Sequence, residues 1–514
     1  MAAEAEGPLP PPSAARLPLV LVTAAFGLVL AVWALLTPMY QAPDELPHVD
    51  SSVRLALGGE WVPPGDALFS AAVLATSEEQ ATTSASDRST FGEFLAAHPG
   101  EAAKVDQMTQ HPPTYYLLAA AALDAIGFED LRWDLSVLAL RLLDAVLLLP
   151  LPWLVHATVL RVTRSRRSAL VAAVALLAVP QLAHIGASVN NDGLTVLLAS
   201  VLTWATVRVL TGAHRLRDVL LVGALLGVLL LSKGTGLPAV PFVAVALGVA
   251  GRGVLPASRR LLHVAVALSL ALLVGGWWWL RNLVLYGDVQ PSGLAPVRPT
   301  IEWPAGTGPD VGLYVDTAWN GITTSFWGQF GLLEHALSPV VTDVLSVLSL
   351  VLVAGWAFRA PRGATVPLAV LPVVTVVLLV ANTWRVYDRT GQVYGVQGRY
   401  LFVAIVALLV LAAVAARRAA PTPSARLRVG RVVVVGSVLL AGYGLLVAHR
   451  GFSETPPTWV GPVGLAELAR LTPLGPVPLA VLGALTAVTA ATMVGVVLRS
   501  AGGPRVLSED RRGG

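Results

Sequence analysis

The chain has 514 residues, of which 55% are hydrophobic and only 13% charged, and its mean hydropathy is +0.70. A water-soluble domain carries roughly 25% charged residues and could not hide this much apolar surface, so a soluble enzyme, a nucleic-acid reader and a disordered chain are excluded. The absence of cysteine also excludes disulfides, thiolate metal sites and cysteine nucleophiles.

An apolar run of about 20 residues crosses a bilayer as a helix. Twelve such runs are predicted: 17–36, 136–160, 168–187, 192–209, 217–232, 236–251, 260–282, 339–358, 364–381, 399–416, 430–448 and 476–498. Two of them, 217–232 and 236–251, are short and are separated only by Ser232-Lys233-Gly234-Thr235-Gly236. A thirteenth stretch, 113–127, follows His111-Pro112-Pro113 and is shorter still. If it dips into the interface rather than spanning, 22 of the 35 Lys and Arg residues fall on one side. These are Arg16, the cluster Arg161–Arg167, Arg208, Arg215, Arg217, Arg252, Arg259, Arg260, Arg359, Arg362, Arg417, Arg418, Arg426, Arg428, Arg431, Arg499, Arg505, Arg511 and Arg512. By the positive-inside rule that side is the cytoplasm. The expected fold is therefore all-α and polytopic, with about twelve transmembrane helices, both termini cytoplasmic, and juxtamembrane helices in the first outer loop.

This topology divides the chain into a cytoplasmic tail 1–16, a transmembrane domain 17–450, an outer loop with the last span 451–498, and a tail 499–514. The outer loops 37–135 and 283–338 are the largest, and the first holds 15 acidic residues against four basic ones. The run 17–36 reads as an uncleaved signal-anchor. Arginine outnumbers lysine 33 to 2, as in a GC-rich bacterial genome, which points to the bacterial cytoplasmic membrane.

The unusual polar clusters then fall on the outer face. Pro43-Asp44-Glu45-Leu46-Pro47-His48 follows the first span, and Asp44 is placed to cap an amphipathic helix over 45–57. Without that role, Asp44 is a general base at the membrane surface, with His48 orienting it. His111 opens the dipping segment and is placed to reach a phosphate or sugar hydroxyl. Asp192 reads as the N-cap of the span it begins. Arg141 and Asp144, three residues apart within a span, are expected to pair with each other, because charge at membrane depth is costly. Arg281 ends the seventh span, and Arg385 lies beyond the ninth. Gln397-Gly398-Arg399-Tyr400 precedes the tenth, where the planar fork of Arg399 suits a lipid phosphate and Gly398 lets backbone come close.

The ordered set Pro-Asp-Glu-x-x-His, His-Pro-Pro-x-Tyr-Tyr, Arg-Asn-x-x-x-Tyr-Gly-Asp (Arg281, Asn282, Tyr286, Gly287, Asp288) and Gln-Gly-Arg-Tyr resembles a family of bacterial multi-spanning proteins, a domain of unknown function. That family in turn resembles the GT-C superfamily of glycosyltransferases, such as protein mannosyltransferases and aminoarabinose transferases, and the likeness covers roughly residues 15–450. The resemblance implies transfer of a sugar from a polyprenyl-phosphate carrier to a saccharide, lipid or protein acceptor on the outer face. It implies Asp44 and Glu45 as the catalytic carboxylates. It further implies His48, His111, Arg281, Arg385, Gln397, Arg399 and Tyr400 as substrate-binding residues. A divalent cation on Asp44, Glu45 and His48 is a second role for the same groups, although the sequence has an adjacent Asp44-Glu45 in place of a separated Asp-x-Asp. A transporter or flippase and a non-catalytic envelope assembly protein are the alternatives.

Overall fold

The computed structural model describes residues 16–359, 363–454 and 460–501. Most of both tails, with Arg362, Arg505, Arg511 and Arg512, lies outside the described residues. The fold is helical, with two small two-stranded antiparallel sheets, Leu68–Ser70 with Glu101–Val105 and Gln329–Phe330 with His335–Ala336.

Among the described residues, nine helices are long and apolar enough to cross a membrane: Leu17–Leu36, Trp133–Thr163, Asp192–Leu210, Ala257–Tyr286, Pro339–Ala357, Thr365–Thr390, Gly398–Ala419, Pro423–Ser453 and Pro476–Ser500. A tenth crossing is broken. Arg166–Ala178 and Pro180–Gly186 meet at 70°, because Pro180 supplies no N–H to continue the helix and holds Val179 extended. The remaining two expected spans are the short helices Leu216–Leu230 and Ala239–Val249. All twelve apolar runs are thus helical.

The thirteenth stretch forms Thr114–Ile126. At 1.5 Å per residue its 13 residues reach about 20 Å, short of a bilayer core of about 30 Å. It packs on Glu45–Ala56, so the first outer loop folds as a layer of short helices on one end of the bundle. The second large loop also contains a helix, Val311–Trp327, which leans on the turn at 398–404. Leu17–Leu36 is apolar on every face and lies in the core, with Pro476–Ala501 packed along it.

Two conformational features aim the residues at that end. Tyr40 and Asp44 both adopt positive φ, 65° and 61°, in the link between the first helix and Glu45–Ala56. Gly398 allows a close backbone crossing: a Cβ there would stand 2.0 Å from the Ile322 carbonyl oxygen, and its N–H donates to Ser325 Oγ at 2.6 Å.

Candidate active site

The left-handed backbone at Asp44 turns its carboxylate away from the helix it precedes. The expected cap is absent, and no side-chain hydrogen bond closes the N-terminus of Glu45–Ala56. Instead Asp44 Oδ2 pairs with Arg399 Nη2 at 2.5 Å, and Gln107 Nε2 donates to Asp44 Oδ1 at 3.3 Å. The first and tenth of the expected spans thereby contribute to one polar cluster.

Asp192 also belongs to this cluster, which corrects its reading as a helix cap. Its Oδ1 accepts from Lys233 Nζ at 2.7 Å, and its Oδ2 stands 3.9 Å from Arg399 Nη1. Asn191, not Asp192, occupies the N-cap. The Tyr400 ring stands beside both cations, 5.5 Å from the Arg399 guanidinium carbon and 5.8 Å from Lys233 Nζ. Two carboxylates and two cations therefore share one small volume. Lys233 and Asp192 carried a signal in the sequence: Lys233 is one of only two lysines and interrupts two apolar runs, and Asp192 opens another.

His48 and His111 line the same region. His48 Nδ1 shares a hydrogen bond with Tyr116 Oη at 3.0 Å, and the two rings stack. Burial, assisted by Lys233, lowers His48 to about 3 and His111 well below its ordinary value, so both rings are neutral. Burial pushes the Asp44 carboxyl up, but the Arg399 guanidinium overrides it and holds Asp44 at about 2. Asp44 keeps 36% of its side chain exposed, whereas Arg399 keeps 2%.

Glu45 is placed differently from its neighbour. Both of its oxygens face Arg141, accepting from Nε and Nη2 at 2.7 Å each. They accept in addition from the backbone N–H groups of Tyr40 and Val189, at 2.8 and 3.1 Å. With four donors and no exposure, Glu45 has no acceptor capacity left for chemistry. Arg141 is equally saturated, since its remaining N–H groups go to the carbonyls of Ala34, Thr37 and Pro38. The expected Arg141–Asp144 pair is therefore not formed. Asp144 accepts instead from Tyr115 Oη at 2.7 Å and from the Asn190 N–H at 3.2 Å.

Arg399 is unsaturated by comparison. Its Nε has no hydrogen-bond partner, and the same is true of Asp192 Oδ2, His111 Nδ1, Asn191 Oδ1 and Gln397 Oε1, all buried. Unpaired buried polar atoms are costly in a folded protein, and these five lie on Arg399 and Asp192 of the cluster, on Asn191 and Gln397 close to them in the chain, and on His111. Arg281 and Arg385 are not brought there. Both are exposed, and Arg281 stacks on Trp278 and Tyr286.

As they are placed, Asp44, Glu45 and His48 are each engaged by a neighbouring side chain. Arg399 neutralises Asp44, Arg141 takes both oxygens of Glu45, and His48 Nδ1 is engaged by Tyr116. No group of three or more His, Asp or Glu side chains among the described residues is arranged to hold a metal.

Fold and site together define a multi-spanning helical membrane protein with a cluster of two carboxylates and two cations at one end of its bundle. The sequence model of the family described as dolichyl-phosphate-mannose-protein mannosyltransferase matches residues 110–279, a third of the chain that includes His111, Asp192 and Lys233. The fold is similar to that of ArnT from Cupriavidus metallidurans bound to undecaprenyl phosphate, at 15% identity and a TM-score of 0.49 over 94% of this chain and 76% of that one. It is also similar to the Archaeoglobus fulgidus oligosaccharyltransferase in complex with Zn and sulfate, at 13% identity and a TM-score of 0.42 over 82% of this chain and 53% of that one. No curated protein matches the chain in sequence.

Proposed function

We propose that the chain is a membrane glycosyltransferase that moves a sugar from a polyprenyl-phosphate donor to a hydroxyl-bearing acceptor, with Asp44 as the general base. The observation that carries this reading is the convergence of Asp44 with Arg399, Lys233 and Asp192 at a bundle end lined by unpaired polar atoms. The family match over 110–279 supports the class of donor, since dolichyl phosphate is a polyprenyl phosphate.

The residues present supply what the transfer requires. Asp44 is the partly exposed carboxylate, so an acceptor arriving from water can reach it. As the acceptor oxygen attacks the anomeric carbon, its proton passes to Asp44. The bond from that carbon to the phosphate oxygen breaks, its electron pair leaves with the phosphate, and Arg399 and Lys233 provide fixed positive charge for the departing anion. The neutral imidazoles of His48 and His111 offer hydrogen bonds without competing for that anion. The isoprenoid tail of the donor lies in the surrounding bilayer. No step is routed through a metal.

The arginine clusters in the connections of the opposite side support a bacterial cytoplasmic membrane with both termini inside and this site outside. A transporter would place its working charges near the bilayer midplane. The one candidate pair for that role is divided here, with Arg141 bound to the exit of the first helix and Asp144 to Tyr115.

The test is transfer of labelled sugar from an undecaprenyl-phosphate-linked donor in membranes that contain wild-type or Asp44→Asn protein. Asparagine tolerates positive φ, so the fold should survive. A loss of at least about 100-fold with normal membrane insertion is expected. Full activity of the variant would remove Asp44 as the base.

A further inference from the structure

An ion pair between a general base and a guanidinium poses a chemical problem. While Arg399 holds Asp44 at 2.5 Å, the carboxylate is a poor proton acceptor, and the guanidinium is not free to receive a phosphate. Yet Arg399 is only partly committed. Its Nε is buried and unpaired, its Nη1 reaches the Pro43 carbonyl only at 3.5 Å, and a second carboxylate oxygen waits 3.9 Å from the same Nη1. That oxygen, Asp192 Oδ2, is itself buried without a hydrogen bond, while Oδ1 of the same group is fixed by Lys233. A saturated arginine was available for comparison in Arg141, whose N–H groups are all used. Arg399 thus faces two carboxylates through different nitrogens, Asp44 closely through Nη2 and Asp192 more loosely through Nη1.

We propose that Arg399 is a switch between two carboxylates: the phosphodiester of a polyprenyl-phosphate sugar entering the site draws it from Asp44 toward Asp192 and Lys233, and so releases Asp44 to act as a base only when the donor is bound, while undecaprenyl phosphate, the monoester left after transfer, engages the same cations. Asp192 is then a positioning residue that holds both cations around the phosphate. The charge count favours this exchange. Asp44, Asp192, Arg399 and Lys233 sum to zero, so an arriving anion gains an attractive site only if one carboxylate gives up its claim. Asp44 is the one with access to water and with Gln107 ready to hold its other oxygen. The inference rests on the transferase reading, because it takes a polyprenyl phosphate as the incoming ligand.

Binding of undecaprenyl phosphate to the full chain in nanodiscs tests it at neutral pH. Asp44→Asn should bind at least fivefold more tightly than wild type, because it removes the competitor for Arg399. Asp44→Gly, which also accepts the left-handed backbone, should do the same. Asp192→Asn removes an equal charge from the same cluster but should bind more weakly than wild type. Arg399→Lys should weaken binding in the wild-type background and much less in the Asp192→Asn background. If Asp44→Asn and Asp192→Asn tighten binding alike, the effect is bulk charge and the switch is overturned. Unchanged or weaker binding by Asp44→Asn, with Arg399→Lys still weakening it, overturns the switch and leaves the transferase reading standing. Failure of the wild-type protein to bind undecaprenyl phosphate at all overturns both.

Discussion

Asp44 and Glu45 are adjacent in the chain, and each pairs with a different arginine on a different span: Asp44 with Arg399 at 2.5 Å and Glu45 with Arg141 at 2.7 Å. The first pair is partly open to water and the second is fully enclosed. The two carboxylates should therefore answer differently to substitution.

Glu45→Gln and Arg141→Met each leave one buried partner of an ion pair uncompensated, which costs about 3–5 kcal/mol. Both variants should lose monodispersity in detergent and show a markedly lower thermal midpoint. A Glu45→Gln protein with wild-type stability and no activity would instead give Glu45 a chemical role.

Arg281→Ala and Arg385→Ala should change transfer by no more than about twofold, because exposed side chains outside the cluster add little to a buried electrostatic site. The assay of labelled-sugar transfer in membranes measures this. A loss comparable to that of Asp44→Asn would show that either arginine enters the site once substrate is bound.

Gly398→Ala should lower both activity and thermal midpoint. The added methyl meets the Ile322 carbonyl and Phe326, and the backbone must move to relieve it. Overpacking of this kind costs about 1–3 kcal/mol, and here it displaces the residue next to Arg399. Equal midpoints for wild type and variant would show that the crossing at 398 has slack.

A pH effect is expected in the first outer loop. Burial raises Asp106 to about 6, and Asp50 is raised by burial and then by Asp106. A carboxyl raised in the folded state stabilises the protein at low pH, and this contribution is lost as pH climbs through the folded value. The buried His48 and His111 act in the opposite sense, because their lowered values make acid destabilising. The difference between wild type and Asp106→Asn reports Asp106 together with the part of the Asp50 shift that Asp106 causes. The wild-type midpoint, relative to the variant, should fall between about pH 4 and 6. A parallel pair of curves would refute it.

The spans could be read from the sequence because an apolar run between charges has few other ways to fold in a membrane. The 70° bend at Pro180 also has a local cause, although the run 168–187 was read as a single span. The arrangement of charge led to the expectation that Asp44 and Arg399 lie on one side, but their contact could not be read, since it depends on how distant helices pack. The Arg141–Asp144 spacing misled because it suggests a pair along one helix, whereas a five-donor fork gains more from the carbonyls and carboxylate across the bundle. The burial of Glu45 beside a partly exposed Asp44 was not legible, because no local pattern tells which of two adjacent acids turns inward.

The saturated environment of Arg141 has a consequence for biosynthesis. An arginine at the centre of an inserting helix costs about 2.5–3.5 kcal/mol, and Arg141, in the first third of Trp133–Thr163, carries part of that cost. Here the relief comes from Ala34, Thr37, Pro38 and Glu45, all emitted by the ribosome long before Arg141. The second crossing should therefore insert less well when the docking surface formed by the first helix and the turn after it is removed.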